Sequence, residues 1–366
     1  MPSEGRGHWF DSSRARQLFD NHKNNKQGQL RTAAFGAAFK EIRKMLKKLT
    51  RGLAIAVLLA SAAHAQYPTK PVTMLVPFAA GGPTDIVARV MAQAMTKPLG
   101  QTVIVENRPS NGGILAPEQL TKSSPDGYTI LIHHIGMATA PFLYRTLRYK
   151  PMEDFEYIGL VNEVPMTIIA RGNFPADNFK DFLTYIKANK AKVTYANAGL
   201  GAASHLCGML FMSAIQTDFL TVPYKGTAPA MNDLLGGQVD FMCDQTTSTT
   251  SHIKSGKVKV FAVTTPHRVA SLKEVPTLDE LGLKGADVSV WHGLYAPKGT
   301  PKPALDRLVA ALQVALKDPV VATRFAELGT EPVDPKRATP EVLRAFLKSE
   351  LDKWGPLIKK AGQYAD

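Results

Sequence analysis

The chain has little cysteine, little tryptophan and no spacing of residues that is typical of a metal site. Its 366 residues include 2 cysteines and 3 tryptophans. Because clustered Cys, His and acidic ligands are missing, zinc and related metal chemistry has no support in the sequence. A phosphate-binding Gly-x-x-x-x-Gly-Lys segment, a Gly-x-Ser-x-Gly elbow and internal repeats are also missing. These absences remove the usual sequence arguments for a cofactor enzyme, and we expect neither a cofactor nor a metal.

Basic residues are in excess, but the excess is concentrated near the start of the chain. The formal net charge is +13, and residues 1–65 contribute 12 Lys+Arg against 4 Asp+Glu, so the remainder carries +5. That remainder has no basic stripe with interleaved aromatic residues. The composition therefore does not support nucleic-acid binding. A mild positive charge is compatible with a small acidic ligand.

Residues 45–65 have the pattern of an export signal. Residues 45–51 are basic, residues 52–63 are apolar, and Ala63-His64-Ala65 is a small-x-small cleavage site. The apolar run is too short to span a bilayer. We therefore predict cleavage near Ala65 and a periplasmic mature chain. Residues 1–44 precede this signal and are interpreted as a spurious extension, with translation starting at Met45.

Strand-like and helical patterns alternate through the rest of the chain, which predicts α/β architecture. About 300 residues suit two domains, and no polar linker separates them. Extended segments at Val161–Arg171 and Asp287–His292 are therefore predicted to cross between the domains. This assigns 66–165 plus 292–366 to one lobe and 166–291 to the other, with a ligand cleft between them at the carboxyl ends of strands.

Three segments share one local pattern, in which a strand runs into a glycine turn and then a helix start. They are residues 72–89, with Gly81 and Gly82, residues 194–206, with Gly199 and Gly201, and residues 222–235, with Gly226. Helix N-termini carry unpaired N–H groups and a partial positive charge, and glycine allows a ligand to approach the backbone closely. One such turn is weak evidence, since tight α/β packing produces it too. Three together predict an anion site.

These and further motifs resemble the Bug family, the TctC-like periplasmic receptors of tripartite tricarboxylate transporters. The resemblance covers residues 66–366 and includes the following segments: Tyr67-Pro-x-Lys-Pro71, Val76-Pro-Phe-x-x-Gly-Gly-x-x-Asp85, Val105-Glu-Asn-Arg-Pro109, Pro125-Asp-Gly-Tyr-Thr129, Val222-Pro-Tyr-Lys-Gly226, Leu235-Gly-Gly-Gln-Val-Asp240 and Trp291-x-Gly293. It implies a type II periplasmic-binding-protein fold, a non-enzymatic monomer that closes on a carboxylate, and delivery of that solute to the membrane subunits of a transporter.

The resemblance also implies which residues surround the ligand. The first loop maps to Phe78, Ala79, Gly81, Gly82 and Asp85, the second to Ala198, Gly199, Ala202 and Ser204, and the third to Tyr224, Lys225 and Gly226. Asp244 and Gln245 face the cleft by the same analogy. Ala202 stands where the family often has a hydroxyl residue, so one polar contact is missing here.

Two adjacent histidines distinguish this chain from more usual members, which have small polar residues after the same strand. His133 and His134, with Phe142, Trp291 and His292 nearby by topology, indicate a flat, aromatic pocket. We therefore predict an aromatic dicarboxylate such as terephthalate as the ligand. The alternative is that both histidines are ordinary side chains at a domain surface.

For several of these residues, a purely structural role is the alternative to a role in ligand binding. Lys225 contacts a carboxylate or is a solvated loop lysine, and Trp291 stacks on the ligand or, more commonly for a lone tryptophan, packs in the core. Asp85 is expected to shape its loop rather than touch the ligand. Cys207 and Cys243 could pair in an oxidising compartment, but two buried thiols are the favoured interpretation.

Two other functional classes remain open at this point. A serine hydrolase would use Ser204 and His205 with Asp240 or Asp244, but adjacent Ser and His do not set the geometry of a triad. A sensory protein would present the bound solute to a membrane kinase, and it would use the same closing cleft as a transport receptor.

Overall fold

The computed structural model describes residues 40, 43–47, 49 and 67–361. Most of the predicted extension and of the signal peptide, including the cleavage site, lies outside these residues. Tyr67–Asp366 is one compact unit, separate from Met1–Gln66. Within the described residues, no helix is long and apolar enough to cross a membrane.

The described residues form a mixed α/β fold, with strands and helices that alternate along the chain as the sequence predicts. The strands are β1 (Val72–Val76), β2 (Val103–Asn107), β3 (Thr129–His133), β4 (Phe155–Arg171), β5 (Thr194–Asn197), β6 (Leu220–Pro223), β7 (Phe241–Gln245), β8 (Val258–Val263), β9 (Ser289–Pro297) and β10 (Glu331–Pro332). The helices of the compact unit are α1 (Pro83–Leu99), α2 (Leu115–Thr121), α3 (Gly136–Leu143), α4 (Phe179–Ala188), α5 (Ala203–Ile215), α6 (Thr227–Leu235), α7 (Thr246–Lys254), α8 (Lys302–Leu316), α9 (Pro319–Glu327) and α10 (Pro340–Ala361).

The long strand β4 connects two groups of strands. Its first part pairs antiparallel with β9, and its last residues, Met166–Arg171, pair antiparallel with β7 and β8. Parallel strands lie beyond on both sides, in the order β2-β1-β3 next to β9 and β7-β5-β6 next to β4. The sequence predicts an extended segment over Val161–Arg171, whereas the strand begins at Phe155. The lobe boundaries 66–165 plus 292–366 and 166–291 remain a prediction.

Strand β1 and helix α1 illustrate why the sequence folds locally as predicted. Four of the five β1 residues are fully buried. In α1, Val87, Met91 and Met95 form a buried stripe at helical spacing. The helix ends at Gly100, whose φ of 75° is a left-handed conformation that glycine adopts without steric cost.

Helix α3 and strand β10 are absent from the sequence-based prediction. Helix α3 begins at Gly136 and contains Pro141, two residues that disfavour a helix interior. It forms because most of its residues are buried, and it packs against α10. Tertiary packing thus outweighs the local propensity of this segment.

The interpretation of Cys207 and Cys243 as two free thiols is wrong, because they form a disulfide. Helix α5 packs on strand β7. This contact brings the two Cα atoms to 6.1 Å, within the range that a disulfide spans. Spacing in the sequence could not decide this, since the two residues are 36 positions apart.

Candidate functional site

The first loop, residues 77–82, joins β1 to α1 and is shaped by Asp85. One carboxylate oxygen of Asp85 accepts hydrogen bonds from Gly81 N and Arg89 Nε, both at 2.9 Å, and the other accepts from Asn107 Nδ2 at 2.9 Å. Burial by itself raises the pKa of Asp85, but these hydrogen bonds outweigh burial and lower that pKa. Both oxygens are therefore occupied by the protein, and Asp85 holds the loop.

The second loop, residues 198–202, joins β5 to α5. Ser204, in the first turn of α5, accepts a hydrogen bond from Ala198 N at 2.8 Å, and Gly199 N donates to Asn197 Oδ1 at 2.9 Å. The hydroxyl of Ser204 keeps its own hydrogen for another partner. His205 Nδ1 accepts from Gly201 N at 3.3 Å.

The third loop, residues 224–226, joins β6 to α6. Tyr224 directs its hydroxyl to Asp233 on α6, at 2.6 Å, and Lys225 is exposed. Thr227, the first residue of α6, donates from Oγ1 to Asp244 Oδ1 at 3.1 Å. Thr227 therefore directs its side chain toward Asp244, whereas Tyr224 and Lys225 do not.

The three loops come together through glycine backbones. A Cβ atom on Gly226 would lie 3.0 Å from Ala79 N, and a Cβ atom on Gly199 would lie 2.9 Å from Gly112 N. The 2.9 Å distance is shorter than real Cβ contacts, and the 3.0 Å distance is tighter than nearly all of them and occurs at a φ of 136°, which disfavours a side chain. Glycine is therefore needed at Gly199 and Gly226 because the backbone of the first loop and of residues 111–113 passes directly against them.

A small cavity of about 10 Å³ lies where the loops converge. For reference, the first wall denotes Phe78, Pro83, Thr84 and His134, and the second wall denotes Ala198, Ala202, Ala203, Ser204, Thr227, Asp244 and Gln245. A volume of this size holds about one water molecule. A carboxylate solute therefore requires the walls to move apart.

Four helices begin at this cavity. The lining residues Thr84, Ser204 and Thr227 lie in the first turns of α1, α5 and α6, and Gln245 immediately precedes α7. Helix N-termini present unpaired N–H groups and the positive end of the helix dipole. The arrangement is therefore favourable for an anion.

His134 contributes an aromatic face and a hydrogen-bond donor to the first wall. Its ring stacks on Phe78, with centroids 4.7 Å apart, and Nδ1 accepts from Gly136 N at 3.0 Å. Burial lowers the pKa of His134 well below its usual value, and the neighbouring His133 and His292 lower it further. The ring is thus neutral, with its hydrogen on Nε2.

His133 lies behind His134 and does not line the cavity. It is fully buried, and its Nδ1 accepts from His134 N at 2.8 Å. Burial lowers the pKa of His133 to about 3, against the opposing effect of the Gly113 main chain. The two histidines therefore have different roles, since only His134 faces the cavity.

A series of hydrogen bonds determines whether the Thr84 hydroxyl donates or accepts. Asn162 Nδ2 donates to Thr330 Oγ1 at 3.3 Å, so its Oδ1 accepts from His292 Nδ1 at 2.9 Å. Burial lowers the pKa of His292 to about 3 and keeps the ring neutral. Its Nε2 therefore accepts, at 3.2 Å, the hydroxyl hydrogen of Thr84. Toward the cavity, Thr84 Oγ1 can only accept.

The remaining predicted site residues do not line the cavity. Trp291 is buried, donates from Nε1 to Glu350 Oε2 at 3.0 Å and packs edge-on against Phe346, as expected for a core tryptophan. The other predicted residues outside the lining are Ala79, Gly81, Gly82, Asp85, His133, Gly199, Tyr224, Lys225 and Gly226. Those that line it are Phe78, His134, Ala198, Ala202, Ser204, Asp244 and Gln245.

Four lining residues are missing from the sequence-based prediction: Pro83, Thr84, Ala203 and Thr227. All four occupy the first two positions of a helix. The glycine turns identify the loops, but the residues just after each turn face the cavity. Helix-start positions therefore mark the cavity lining more closely than the glycines themselves do.

Two larger grooves lie outside this cavity on the described part of the chain. One of about 590 Å³ is bordered by Gly81, Ala228 and helix α7, next to the cavity, and one of about 780 Å³ follows β10 and residues 265–271. Neither is lined by the starts of all four helices, although the first is lined by first-turn residues of α1, α6 and α7. No group of three or more metal-binding side chains occurs among the residues that the structure describes.

Comparison with known proteins identifies the family. Residues 87–363 match the model of the TctC family, the tripartite tricarboxylate transporter family receptor. This chain belongs to the TctC receptor family. The family consists of binding proteins, so the prediction that the chain is not an enzyme is confirmed, and the hydrolase alternative based on Ser204 falls away.

Solved structures of similar proteins agree with this assignment. The periplasmic binding protein BugD is 55% identical, with a TM-score of 0.80 over 81% of this chain and 99% of its own. MatC from Rhodopseudomonas palustris with bound malate is 36% identical, with a TM-score of 0.77 over 80% of this chain and 100% of its own. R. palustris Rpa4515 with adipate is 30% identical, with a TM-score of 0.77 over 81% and 99%. The predicted periplasmic-binding-protein fold is confirmed.

Proposed function

We propose that this receptor captures a small carboxylate in the periplasm and delivers it to the membrane subunits of a tripartite tricarboxylate transporter. The observation that carries this proposal is the convergence of four helix N-termini on one cavity. The Ser204 hydroxyl and the Nε2–H group of His134 add donors beside them. Such a set of donors favours a carboxylate over a neutral or cationic solute.

Relatives with known ligands support the same class of solute. One structure of similar fold contains malate and another contains adipate. Both are small aliphatic dicarboxylates, and the chain is at least 30% identical to each protein. We therefore take an aliphatic carboxylate as the first candidate.

Capture would work by closure of the two walls around the solute. A cavity of about 10 Å³ cannot admit a dicarboxylate, so the solute would enter while the walls are apart and bring them together by contacting both. Gly199 and Gly226 allow the loops to meet at backbone distance. The solute then shifts the equilibrium because it contacts both walls only in the closed form.

An aromatic dicarboxylate such as terephthalate is the second candidate. The stacked rings of Phe78 and His134 favour it, since a flat ligand could extend this stack. The position of His133 counts against it, because only one of the two predicted histidine donors reaches the cavity wall. The binding experiment below includes this ligand.

Isothermal titration of the purified protein tests the proposal with malate, succinate, adipate, citrate and terephthalate, and with succinamide as an uncharged control of matched length. We expect at least one carboxylate to bind with micromolar affinity or better, and succinamide not to bind. If no carboxylate binds, or if succinamide binds as tightly as succinate, the proposed function is wrong.

A further inference from the structure

Two groups of buried hydroxyls join segments next to the cavity without lining it. In the first, the α3 clasp, Thr139 and Tyr144 donate to main-chain carbonyls of the second loop. In the second, the α7 clasp, Thr246 and Thr250 donate to main-chain carbonyls just after α9. These four residues are between 0% and 9% exposed, and none of them lines the cavity. The clasp contacts and the lining of the cavity thus involve different side chains.

The α3 clasp holds the second loop by two of its carbonyls. The Tyr144 hydroxyl donates to Leu200 O at 2.9 Å, and Thr139 Oγ1 donates to Gly201 O at 3.2 Å. Both acceptors lie within two residues of Ala202, which lines the cavity. The position of the second loop, and with it that of the second wall, therefore depends on these two hydroxyls.

Each hydroxyl of the α3 clasp also has an acceptor within residues 66–165. Asn111 O lies 3.1 Å from the Tyr144 hydroxyl, and Ile135 O lies 3.4 Å from Thr139 Oγ1. A hydroxyl has a single hydrogen, so it is shared between the two carbonyls. When the second loop moves away, each hydrogen can turn to the carbonyl that stays. The α3 clasp can therefore open while both hydroxyls keep an acceptor.

The α7 clasp makes the corresponding contact at the start of another helix. Thr246 Oγ1 donates to Gly329 O at 2.9 Å, and Thr250 Oγ1 donates to Leu328 O at 3.5 Å. The two segments approach closely, since a Cβ atom on Gly329 would lie 2.9 Å from Thr246 Cβ. Thr246 directly follows Gln245, which lines the cavity. Because its bond is the shorter one, Thr246 is the main donor of this clasp.

The two clasps connect the predicted lobes in opposite directions. Donors of the α3 clasp lie in residues 66–165 and their acceptors in 166–291, whereas donors of the α7 clasp lie in 166–291 and their acceptors in 292–366. The first wall belongs to 66–165 and the second wall to 166–291. When the walls move apart to admit a solute, water can reach the clasp carbonyls. A carbonyl that has lost its hydroxyl partner would thus be unpaired only in the closed form.

We propose that the two clasps are positioning groups that stabilise the closed form, so that they strengthen the binding of every carboxylate by a common factor without touching it. The inference rests on the proposed function and identifies residues that control closure. A solute that contacts both walls only in the closed form has an apparent affinity proportional to the closed fraction. Removal of a clasp hydroxyl lowers that fraction, and the loss does not depend on which solute is bound.

The variant Thr246→Val tests the α7 clasp, by isothermal titration with malate, succinate and adipate. We expect each carboxylate that binds the unsubstituted protein to bind about fivefold more weakly, because Gly329 O loses its donor in the closed form. Thr246→Ser keeps a hydroxyl and should restore the affinity. Thr247→Val is the matched control, since Thr247 Oγ1 is buried without a partner in the described residues, and it should bind as tightly as the unsubstituted protein.

The double variant Thr139→Val, Tyr144→Phe tests the α3 clasp in the same titration. We expect a loss of about threefold, smaller than for Thr246→Val because the carbonyls of Asn111 and Ile135 lose a donor in the open form as well. Tyr149→Phe is the matched control. Its hydroxyl is buried and has no partner within the described part of the chain, so its removal should leave the affinity unchanged.

The outcomes separate this inference from the proposed function. If carboxylates bind the unsubstituted protein and the variants of both clasps bind them equally well, the receptor function stands and the inference is wrong. If the loss differs between carboxylates by more than about twofold, the usual limit for independent groups, the hydroxyls contact the solute and the inference is again wrong. If no carboxylate binds the unsubstituted protein, the proposed function fails and the inference fails with it.

Discussion

The two walls of the cavity differ in how their polar side chains are held. In the first wall, Thr84 is bonded to His292, and His134 accepts from Gly136 N, so both are fixed by partners inside the protein. In the second wall, Asp244 and Gln245 each leave a buried side-chain oxygen without a partner in the described part of the chain. The polar side chains of the first wall are therefore held by the protein itself, whereas the second wall has two buried acceptor atoms that no described residue satisfies.

Acid should destabilise the protein through the three buried histidines at and behind the first wall, His133, His134 and His292. His133 and His292 have pKa values of about 3, and that of His134 is also well below 6.5. Below about pH 6.5 the unfolded chain binds these protons and the folded chain does not, so stability present above that pH is lost as pH falls. Asp244, with a raised pKa of about 7, opposes the loss, since its folded form binds a proton that the unfolded chain binds only near pH 4. A net difference of two protons predicts a loss of roughly 4 kcal/mol between pH 6.5 and 5.

Urea unfolding at pH 7, 6 and 5 measures this loss. The double variant His133→Gln, His292→Gln should flatten the dependence, and His267→Gln, at an exposed histidine, should leave it unchanged. An unfolding free energy that is the same at pH 7 and pH 5 would contradict the assignment of neutral buried histidines.

Reduction of the disulfide should act on the second wall. Cys207 lies one turn after Ser204 on α5, and Cys243 immediately precedes Asp244 on β7. Closing a loop of 36 residues stabilises a fold by about 3–4 kcal/mol in the chain-entropy account. We expect dithiothreitol to lower the unfolding free energy by that amount in urea. The double variant Cys207→Ala, Cys243→Ala serves as the control and should not respond, and an equal response in both proteins would contradict the prediction.

Substitution of Gly226 should keep the two walls apart. An alanine Cβ would lie 3.0 Å from Ala79 N, at a φ of 136° that disfavours any side chain. We expect Gly226→Ala to weaken carboxylate binding 10- to 100-fold, which is about 1.4–2.8 kcal/mol. Gly237→Ala is the matched control, because Gly237 also has a positive φ but no atom within 4 Å of the added Cβ. Isothermal titration of both variants with a carboxylate tests this prediction. Equal carboxylate affinities of the two variants would show that the contact with Ala79 does not matter for binding.

Removal of Lys225 should have the smallest effect. Its side chain is exposed and does not line the cavity. We expect Lys225→Ala to change carboxylate affinity less than twofold at 0.15 M salt, where charges beyond about 8 Å are screened. A tenfold loss by titration would mean that the lysine reaches the ligand and gives the site a formal positive charge.

Local patterns in the sequence predict much of the fold. The sequence pattern predicts a strand over Thr129–His133, which are the bounds of β3. It predicts helix starts at Thr84 and Ala228, and α1 and α6 each begin one residue earlier. In these elements glycine turns, helix-start residues and apolar periodicity all agree. The failures are elements that depend on distant partners. Strand β4 extends back to Phe155 because β9 pairs along it, and α3 forms because its faces are buried.

The site divides in the same way. The sequence predicts the glycine loops because glycine, proline and threonine have specific conformational roles at a helix start. The sequence does not predict that only His134 of the two histidines lines the cavity, because the side chains of adjacent residues at the end of a strand point in different directions. His133 is therefore placed elsewhere. The hydrogen-bond partner of Thr84 is His292, which is 208 positions away, so no local sequence pattern predicts it.

The sequence by itself determines the α/β alternation, the three glycine loops and the family, because each follows from local conformational preference or from motif identity. Only the tertiary structure decides which polar atoms around the cavity are already bonded and which are left open. That outcome depends on side chains brought together from β4, β7, β9 and four helix starts, and hydrogen-bond satisfaction is a property of this assembled environment rather than of any segment.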